Sequence, residues 1–255
     1  MKRKKSEVDQ RRAEVLEYLK IQPGTNIKNL SEKFQVSVMT MRRDLQELED
    51  MGLLIRHYGG ARVRRDATLN DQAGYRNLIA RYAASLVQDG DTLFLNTSKT
   101  ALSMLPYINR QDVTVITNNG KAISTEHQLG VQVILTGGEL RHPKDAMVGD
   151  YALRSLKTVY AKKSFIGCNG ISAEMGVTTE NANEVSINTL MVEHVTGESF
   201  VLADHTKLGR NSSFSSCPIG DVKNLITDEL APEDVLEELR AKGVKIHIVR
   251  KEDYK

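Results

Sequence analysis

The feature that most constrains this chain is an alternation in its larger, C-terminal part. Short apolar runs at residues 92–95, 113–116, 131–135, 164–167, 199–202, 224–227 and 244–249 are separated by stretches with helical spacing near 75–87, 101–107, 121–128, 149–156, 184–194 and 232–242. Strands covered on both faces read as unbroken apolar runs, and parallel neighbours need a crossover, most often a helix. The alternation therefore predicts an α/β module with a mostly parallel sheet over residues 75–255.

In an open sheet of this kind ligands bind beyond the carboxyl ends of the strands. Polar or glycine-rich groups stand at those positions: Asn96-Thr97-Ser98-Lys99-Thr100, Asn118-Asn119, Gly137-Gly138, Asn169-Gly170, Asp204 and Asp228. The first loop is rich in hydroxyls and opens a helix, so its backbone N–H groups with Thr97, Ser98, Lys99 and Thr100 can cradle a phosphate. The same residues also suit a plain capped loop with no ligand.

The N-terminal part follows a different pattern. Val15, Leu16 and Leu19 recur at helical spacing, and Pro23-Gly24 ends that segment. Ile27, Leu30 and Phe34 form a second stripe, and Gln35-Val36 turns into Ser37. From Ser37 to Asp50 the chain reads as one amphipathic helix, with Ser37 as its cap and Gly52 as its stop. At 100° per residue Val38, Met41, Leu45 and Leu48 share the inner face; Met39, Arg43, Gln46 and Asp50 point outward, flanked by Thr40 and Arg42. Two helices separated by a short turn make a helix-turn-helix, and arginines near the start of its second helix are placed for base edges and phosphates. Asp44 lies beside the inner face and is expected to pair with an arginine. Two strand-like runs around Gly59-Gly60 follow, which predicts a winged helix whose wing brings Arg56, His57 and Arg62 to DNA.

Charge follows the same division. Residues 1–65 hold 15 Lys and Arg against 9 Asp and Glu, and the remainder holds 20 against 24. A basic module that meets a polyanion is thus joined, through a polar linker at 64–74, to a larger acidic one. The basic start at residues 2–5 reads as a solvated tail. No stretch of about 18 apolar residues and no apolar leader core occurs, so neither a membrane span nor a targeting segment is expected, and the reading is cytoplasmic. Cys168 and Cys217 are too few and too far apart for a disulfide framework or a zinc motif, and His127, His194 and His247 lack paired ligand spacing. Neither a metal nor another cofactor is predicted.

Arg11, Val15 and Leu19, then Ser37, Thr40, Met41, Arg42, Arg43, Asp44 and Leu45, match the N-terminal signature of the DeoR-type bacterial transcriptional repressors, which this sequence resembles. The wing from Arg56 to Ala61 is similar to the family's Arg-x-His-Gly-Gly-Ala, with Tyr58 where histidine is usual. The resemblance continues through Leu135-Thr136-Gly137-Gly138-Glu139-Leu140-Arg141, Phe165-Ile166-Gly167-Cys168-Asn169-Gly170-Ile171 and the run from Leu202 to Arg210. It implies a winged helix-turn-helix domain at 1–63 and, at 75–255, an α/β sensor and oligomerisation domain resembling ribose-5-phosphate isomerase.

The function implied is sequence-specific repression of carbohydrate genes under control of a phosphorylated sugar, without catalysis. The partners implied are double-stranded operator DNA, the sugar phosphate, and further copies in a homodimer or homotetramer. DNA contacts are expected at Ser37, Met39, Thr40, Arg42, Arg43, Gln46, Arg56, His57 and Arg62. Effector contacts are expected at Asn96 to Thr100, Asn118, Gly137, Gly138, Arg141, Asn169, Gly170, Asp204 and Lys207. The sequence departs from the family at Asn96 and Asn169, where aspartate is usual, and at Ser98-Lys99, which replaces Gly followed by Ser or Thr. The rival reading is a sugar-phosphate isomerase-like enzyme with a DNA-binding appendage, for which Asp204, Asp228 and Glu180 are the available bases.

Overall fold

The computed structural model describes residues 5–22, 24–50, 54–57, 60–63 and 68–254. It divides the chain into two compact units, Met1–Gly74 and Tyr75–Lys255. The first contains helices α1 (Lys5–Ile21), α2 (Ile27–Lys33) and α3 (Val38–Asp50), then strands β1 (Leu54–His57) and β2 (Gly60–Val63). The strands pair antiparallel, Leu54 opposite Val63 and His57 opposite Gly60. Val15, Leu19, Leu30, Met41, Leu45, Leu48, Leu54 and Ala61 form a single buried cluster that draws on every element of the unit. Burial of each large aliphatic side chain contributes about 1.5–3 kcal/mol, so this small core depends on α3 presenting Met41, Leu45 and Leu48 inward. Val38, expected on that inner face, is 39% exposed. It stands in the first turn, beyond the edge of the cluster its helix covers.

Helix α4 (Thr68–Ser85) begins well before residue 75, so residues 68–74 of the expected linker are helical. That segment contains Leu, Gln and Ala and no proline, so nothing in it stops a helix that the buried residues further along already favour. Residues 64–67, the rest of that linker, lie outside the described residues, as do the predicted helix stop at Gly52, Tyr58 and Gly59 at the wing tip, and residues 2–4 of the basic start, whose last residue, Lys5, opens α1 instead of lying in a tail.

The second unit contains β3 (Thr92–Leu95), α5 (Lys99–Leu102), β4 (Val113–Thr117), β5 (Val131–Leu135), β6 (Glu139–Arg141), β7 (Ala146–Val148), α6 (Asp150–Lys157), β8 (Ala161–Gly167), β9 (Gly170–Ser172) and β10 (Gly176–Thr179). It ends with α7 (Ala182–Glu193), β11 (Val195–Leu202), β12 (Phe214–Cys217), β13 (Asn224–Asp228), α8 (Glu233–Ala241) and β14 (Lys245–Val249). The main sheet has seven strands in the order β14-β13-β11-β8-β3-β4-β5. Every neighbouring pair in it is parallel. Its strands are the predicted apolar runs.

Alternate residues of each strand serve opposite faces. Leu93 and Leu95 pack with α4 residues Ile79, Ala80 and Ala83, whereas Phe94 packs with Ala152 and Leu156 of α6 and Ile187 of α7. Both faces are therefore covered, and the carboxyl ends of the strands all open at one edge. The expected helix at 121–128 shrinks to a 3-10 turn at Gly120–Ser124. There the hydroxyls of Ser124 and Thr125 take the Lys121 carbonyl that a helix would use.

Candidate functional site

The helix-turn-helix is assembled by local bonds. Asn26 caps α2 by accepting from the Asn29 N–H at 2.8 Å. Gln35, with φ +50°, makes the turn, and the Val36 N–H donates to the Ser31 carbonyl. Ser37 caps α3: its Oγ accepts from the Thr40 N–H at 3.0 Å and lies 2.9 Å from the Thr40 hydroxyl, and its carbonyl receives the Met41 N–H. The hydroxyls of Ser37 and Thr40 thus fix where the helix begins. Met41, Leu45 and Leu48 seat α3 in the core; Met39 is 61% exposed, and Arg42 and Arg43 stand in solvent beside it. Gln46 is half-buried one turn further on.

Asp44 is 2% exposed and is held by Arg11 Nε at 2.7 Å and Arg12 Nε at 3.1 Å, both from α1. It is the structural carboxylate that the sequence suggested, and it clamps the outward helix to the scaffold. Arg56 and His57 lie in β1 and Arg62 in β2, paired Arg56 with Ala61 and Ile55 with Arg62. The side chains of Arg56, His57 and Arg62 lie outside the described residues. Ala61 anchors the wing from below, its carbonyl accepting from the Gly24 N–H and its own N–H donating to Thr25.

At the strand ends of the second unit the expected ligand residues fall into two groups. Asn96, at the end of β3, is buried and its amide is saturated. Nδ2 donates to the Gly167 carbonyl at 2.9 Å and to Asn188 Oδ1 at 3.0 Å, while Oδ1 accepts from the N–H groups of Gly167 at 3.0 Å and Ser98 at 3.2 Å. An amide offers two donors and two acceptor positions, so none remains for a ligand. Asn96 thus acts as a clasp between β3, β8 and α7. Gly167 belongs to the same clasp, because a Cβ there would meet Ser98 Oγ at 2.0 Å. Ser98 in turn caps α5 by accepting from the Ala101 N–H at 3.2 Å. Thr97 and Thr100 are buried beside it, and Lys99 is exposed.

Asn118, at the end of β4, donates to the Met147 carbonyl at 3.2 Å, and its buried Oδ1 has no protein partner. Gly137 (φ +70°) and Gly138 (φ +109°) make the turn after β5; a Cβ on Gly138 would lie 2.5 Å from the Val148 carbonyl, so this turn requires glycine. Arg141 is exposed on the β6–β7 hairpin and pairs with Glu139 at 2.5 Å. Asn169 accepts from the Glu180 N–H at 3.3 Å, and Gly170 lets the Arg210 carbonyl approach to 2.3 Å of where a Cβ would sit. Asp204 caps the 3-10 turn His205–Lys207, accepting from the N–H and hydroxyl of Thr206. Lys207, half-buried, acts on the neighbouring Cys168: burial pushes that thiol up to about 12, with Lys207 opposing and Asp204 reinforcing the rise.

Asp228 accepts from the His205 N–H and Nδ1, both at 2.8 Å, and from the Leu230 N–H at 3.1 Å. Its carboxylate is therefore engaged as a structural acceptor, and Glu180 stands exposed. Among the described residues no group of His, Cys, Asp and Glu is placed to hold a metal ion, and no helix is long and apolar enough to cross a membrane. Periodicity did not reveal Asn188, the partner of Asn96, or the buried Glu184, which receives Lys144 Nζ at 3.2 Å. These side chains meet strand-end residues from α7 and the β6–β7 loop, and only the fold shows that they do.

A capped, outward-facing helix in a winged unit, joined to a parallel α/β unit with polar strand ends, defines a DNA-binding regulator with a sensor module. Comparison with known families agrees: the DeoR-like helix-turn-helix domain matches residues 11–67 and the DeoR C terminal sensor domain matches residues 71–229. The chain belongs to the DeoR family of transcriptional regulators. It is 29% identical to the putative aga operon transcriptional repressor of Escherichia coli O157:H7, over 94% of this chain and 93% of that one. It is 29% identical to the HTH-type transcriptional repressor GlcR of Bacillus subtilis (97% and 98%) and 32% identical to the lactose phosphotransferase system repressor of Staphylococcus aureus (77% and 82%). These relatives are named as repressors, in keeping with a regulator and not an enzyme. Among solved structures, ribose 5-phosphate isomerase from Plasmodium falciparum aligns over 52% of this chain and 51% of that one, at 16% identity and a TM-score of 0.37.

Proposed function

We propose that this protein represses carbohydrate metabolism genes in the cytoplasm, binding double-stranded operator DNA as a homodimer or homotetramer and releasing it when a phosphorylated sugar binds. The observation that carries the reading is the division of α3: Met41, Leu45 and Leu48 are buried while Met39, Arg42 and Arg43 face out from its first turns. Helices docked this way place cations against base edges and phosphates. DNA binding is assigned to residues 1–63, with Arg56, His57 and Arg62 on the wing, and effector binding and self-association to 75–255, beyond the segment 64–74.

For the effector, Thr97, Ser98, Lys99 and Thr100 are assigned to the phosphate, and Asn118, Asn169, Asp204 and Lys207 to the hydroxyls. Gly137, Gly138 and Gly170 shape the surrounding turns. Names of relatives that refer to an aga operon and to a lactose phosphotransferase system support a carbohydrate signal. One winged helix reads few base pairs, and paired half-sites about 34–36 Å apart supply the specificity a single module lacks. The test is footprinting on the DNA upstream of the protein's own gene, with and without a panel of hexose and pentose phosphates. A protected repeat that disappears with one sugar phosphate is expected; absence of any protected site overturns the reading.

A further inference from the structure

The loop that holds two of the assigned effector residues is tied to one side chain of α4. His205 stands between Asp204 and Lys207 in the 3-10 turn. Its Nδ1 lies 2.8 Å from Asp228 Oδ1, and its backbone N–H donates to Asp228 Oδ2 at 2.8 Å. An ionised carboxylate only accepts, so Nδ1 carries the hydrogen and the imidazole is fixed in orientation. That orientation sets its ring edge-to-face with Tyr75, with centroids 5.8 Å apart and planes at 86°.

Tyr75 is 3% exposed and held on its other sides. Its hydroxyl donates to Glu229 Oε1 at 2.9 Å, and Lys251 Nζ lies 4.8 Å from its ring centroid. The Lys251 N–H donates to the same Glu229 oxygen at 3.3 Å. Tyr75 is also the first residue of the second unit, and the preceding turns of the same helix, from Thr68, belong to the first. The chain therefore passes from one unit to the other through the helix that carries this ring.

We infer that the His205–Tyr75 ring pair is the element through which occupation of the Asp204–Lys207 loop changes operator affinity. A ligand engaging Asp204 and Lys207 moves the short turn between them, and His205, bonded twice to Asp228, rotates as part of it. Tyr75 then loses or gains its edge-to-face contact, and α4 moves with it. This rests on the sugar-phosphate reading above. A ligand shifts the equilibrium only through its preference for one arrangement, and couplings of this kind are typically 5–150-fold in affinity.

The test uses the full-length protein on labelled operator DNA, with glucose 6-phosphate, galactose 6-phosphate and fructose 1-phosphate as probes. His205→Asn keeps an N–H donor where Nδ1 stood but removes the ring; Tyr75→Leu removes the other ring; Tyr75→Phe keeps it and loses only the hydroxyl. His205→Asn and Tyr75→Leu are expected to bind operator within about twofold of the parent and to bind the active probe by calorimetry, yet to show less than about a twofold change in operator affinity on adding it. Tyr75→Phe is expected to keep most of the response. Full release by His205→Asn, or loss of probe binding in that variant, overturns the inference. Hydrogen exchange on the unmodified protein provides the second measurement: the probe is expected to change protection at 203–208 and at 72–80 together, and a change at 203–208 alone overturns the coupling. A parent protein indifferent to every probe overturns the effector reading and this inference with it, whereas a responsive parent with a responsive His205→Asn overturns the coupling alone.

Discussion

The outward side of α3 and the carboxyl edge of the main sheet are both polar, and they spend their polarity in opposite ways. On α3 the two arginines assigned to DNA stand in solvent, and the carboxylate that follows them, Asp44, is withdrawn into the scaffold by Arg11 and Arg12. At the sheet edge Asn96, Ser98, Asn169, Asp204 and Asp228 are all bonded within the protein. A polyanion is bound through many weak, salt-dependent contacts, so its cations can stay hydrated until the partner arrives. A small ligand offers few contacts and needs a site whose groups are already oriented. The comparison implies that substitutions at the two places fail differently: on the outward side of α3 they cost affinity, and at the strand ends they cost stability first.

The largest effect is expected where the DNA surface depends on the scaffold. Asp44→Ala removes the buried carboxylate that Arg11 and Arg12 hold, and removing one member of such a pair costs roughly 3–5 kcal/mol. The winged unit should unfold at lower urea concentration while the second unit keeps its transition, as tryptic fragmentation followed by mass spectrometry would show. Operator binding should disappear with it. If Asp44→Ala binds operator normally, the clamp is unnecessary.

Next comes the Asn96 clasp. Asn96→Asp would bury a carboxylate against the Gly167 carbonyl and Asn188 Oδ1, two acceptors that now receive hydrogens from Nδ2. The cost is about 3 kcal/mol, and Asn188→Lys in the same chain should recover a large part of it by supplying a cation. Denaturant midpoints of the two single variants and the double variant form the cycle. An Asn96→Asp protein as stable as the parent would reassign Asn96 to the ligand.

A smaller effect is expected at His247 in β14. Its ring sits between the Tyr82 hydroxyl at 2.9 Å and Asn224 Oδ1 at 3.3 Å. Burial lowers its pKa from the ordinary 6.5, Lys245 adds to the fall and Glu198 opposes it. The unfolded chain therefore binds the proton more readily, and the contribution to stability is complete above about pH 6.5 and is lost as pH falls through the lower folded value. The urea midpoint should drop between pH 7.5 and 5.5, and His247→Gln should flatten that part of the profile. An unchanged profile would show that the ring titrates alike in both states.

Most of the architecture was legible because buried parallel strands and a capped amphipathic helix leave direct traces: apolar runs at 92–95 or 131–135, and Ser37 followed by Met41, Leu45 and Leu48. The short antiparallel strands, such as Glu139–Arg141 and Gly170–Ser172, span too few residues for a period to emerge. Val38 is exposed although it shares the stripe of Met41, Leu45 and Leu48, because helical periodicity does not say where the core ends. The strand-end residues were found as positions but not as roles. Whether Asn96 faces a ligand or a neighbour depends on Asn188, far away in sequence and brought near only by the packing of α7 on the sheet.

One surface is assigned to DNA and the other to a sugar phosphate, and a single titration addresses both. Labelled operator is titrated with the parent, Arg43→Ala and Lys207→Ala, each with and without the active sugar phosphate. Arg43→Ala should bind roughly 10–100-fold more weakly, the equivalent of about 1.4–3 kcal/mol, with a shallower salt dependence and an intact relative response to the sugar phosphate. Lys207→Ala should bind operator as the parent does and remain bound when the sugar phosphate is added. Parent-like affinity in Arg43→Ala, or normal release by Lys207→Ala, would contradict the account.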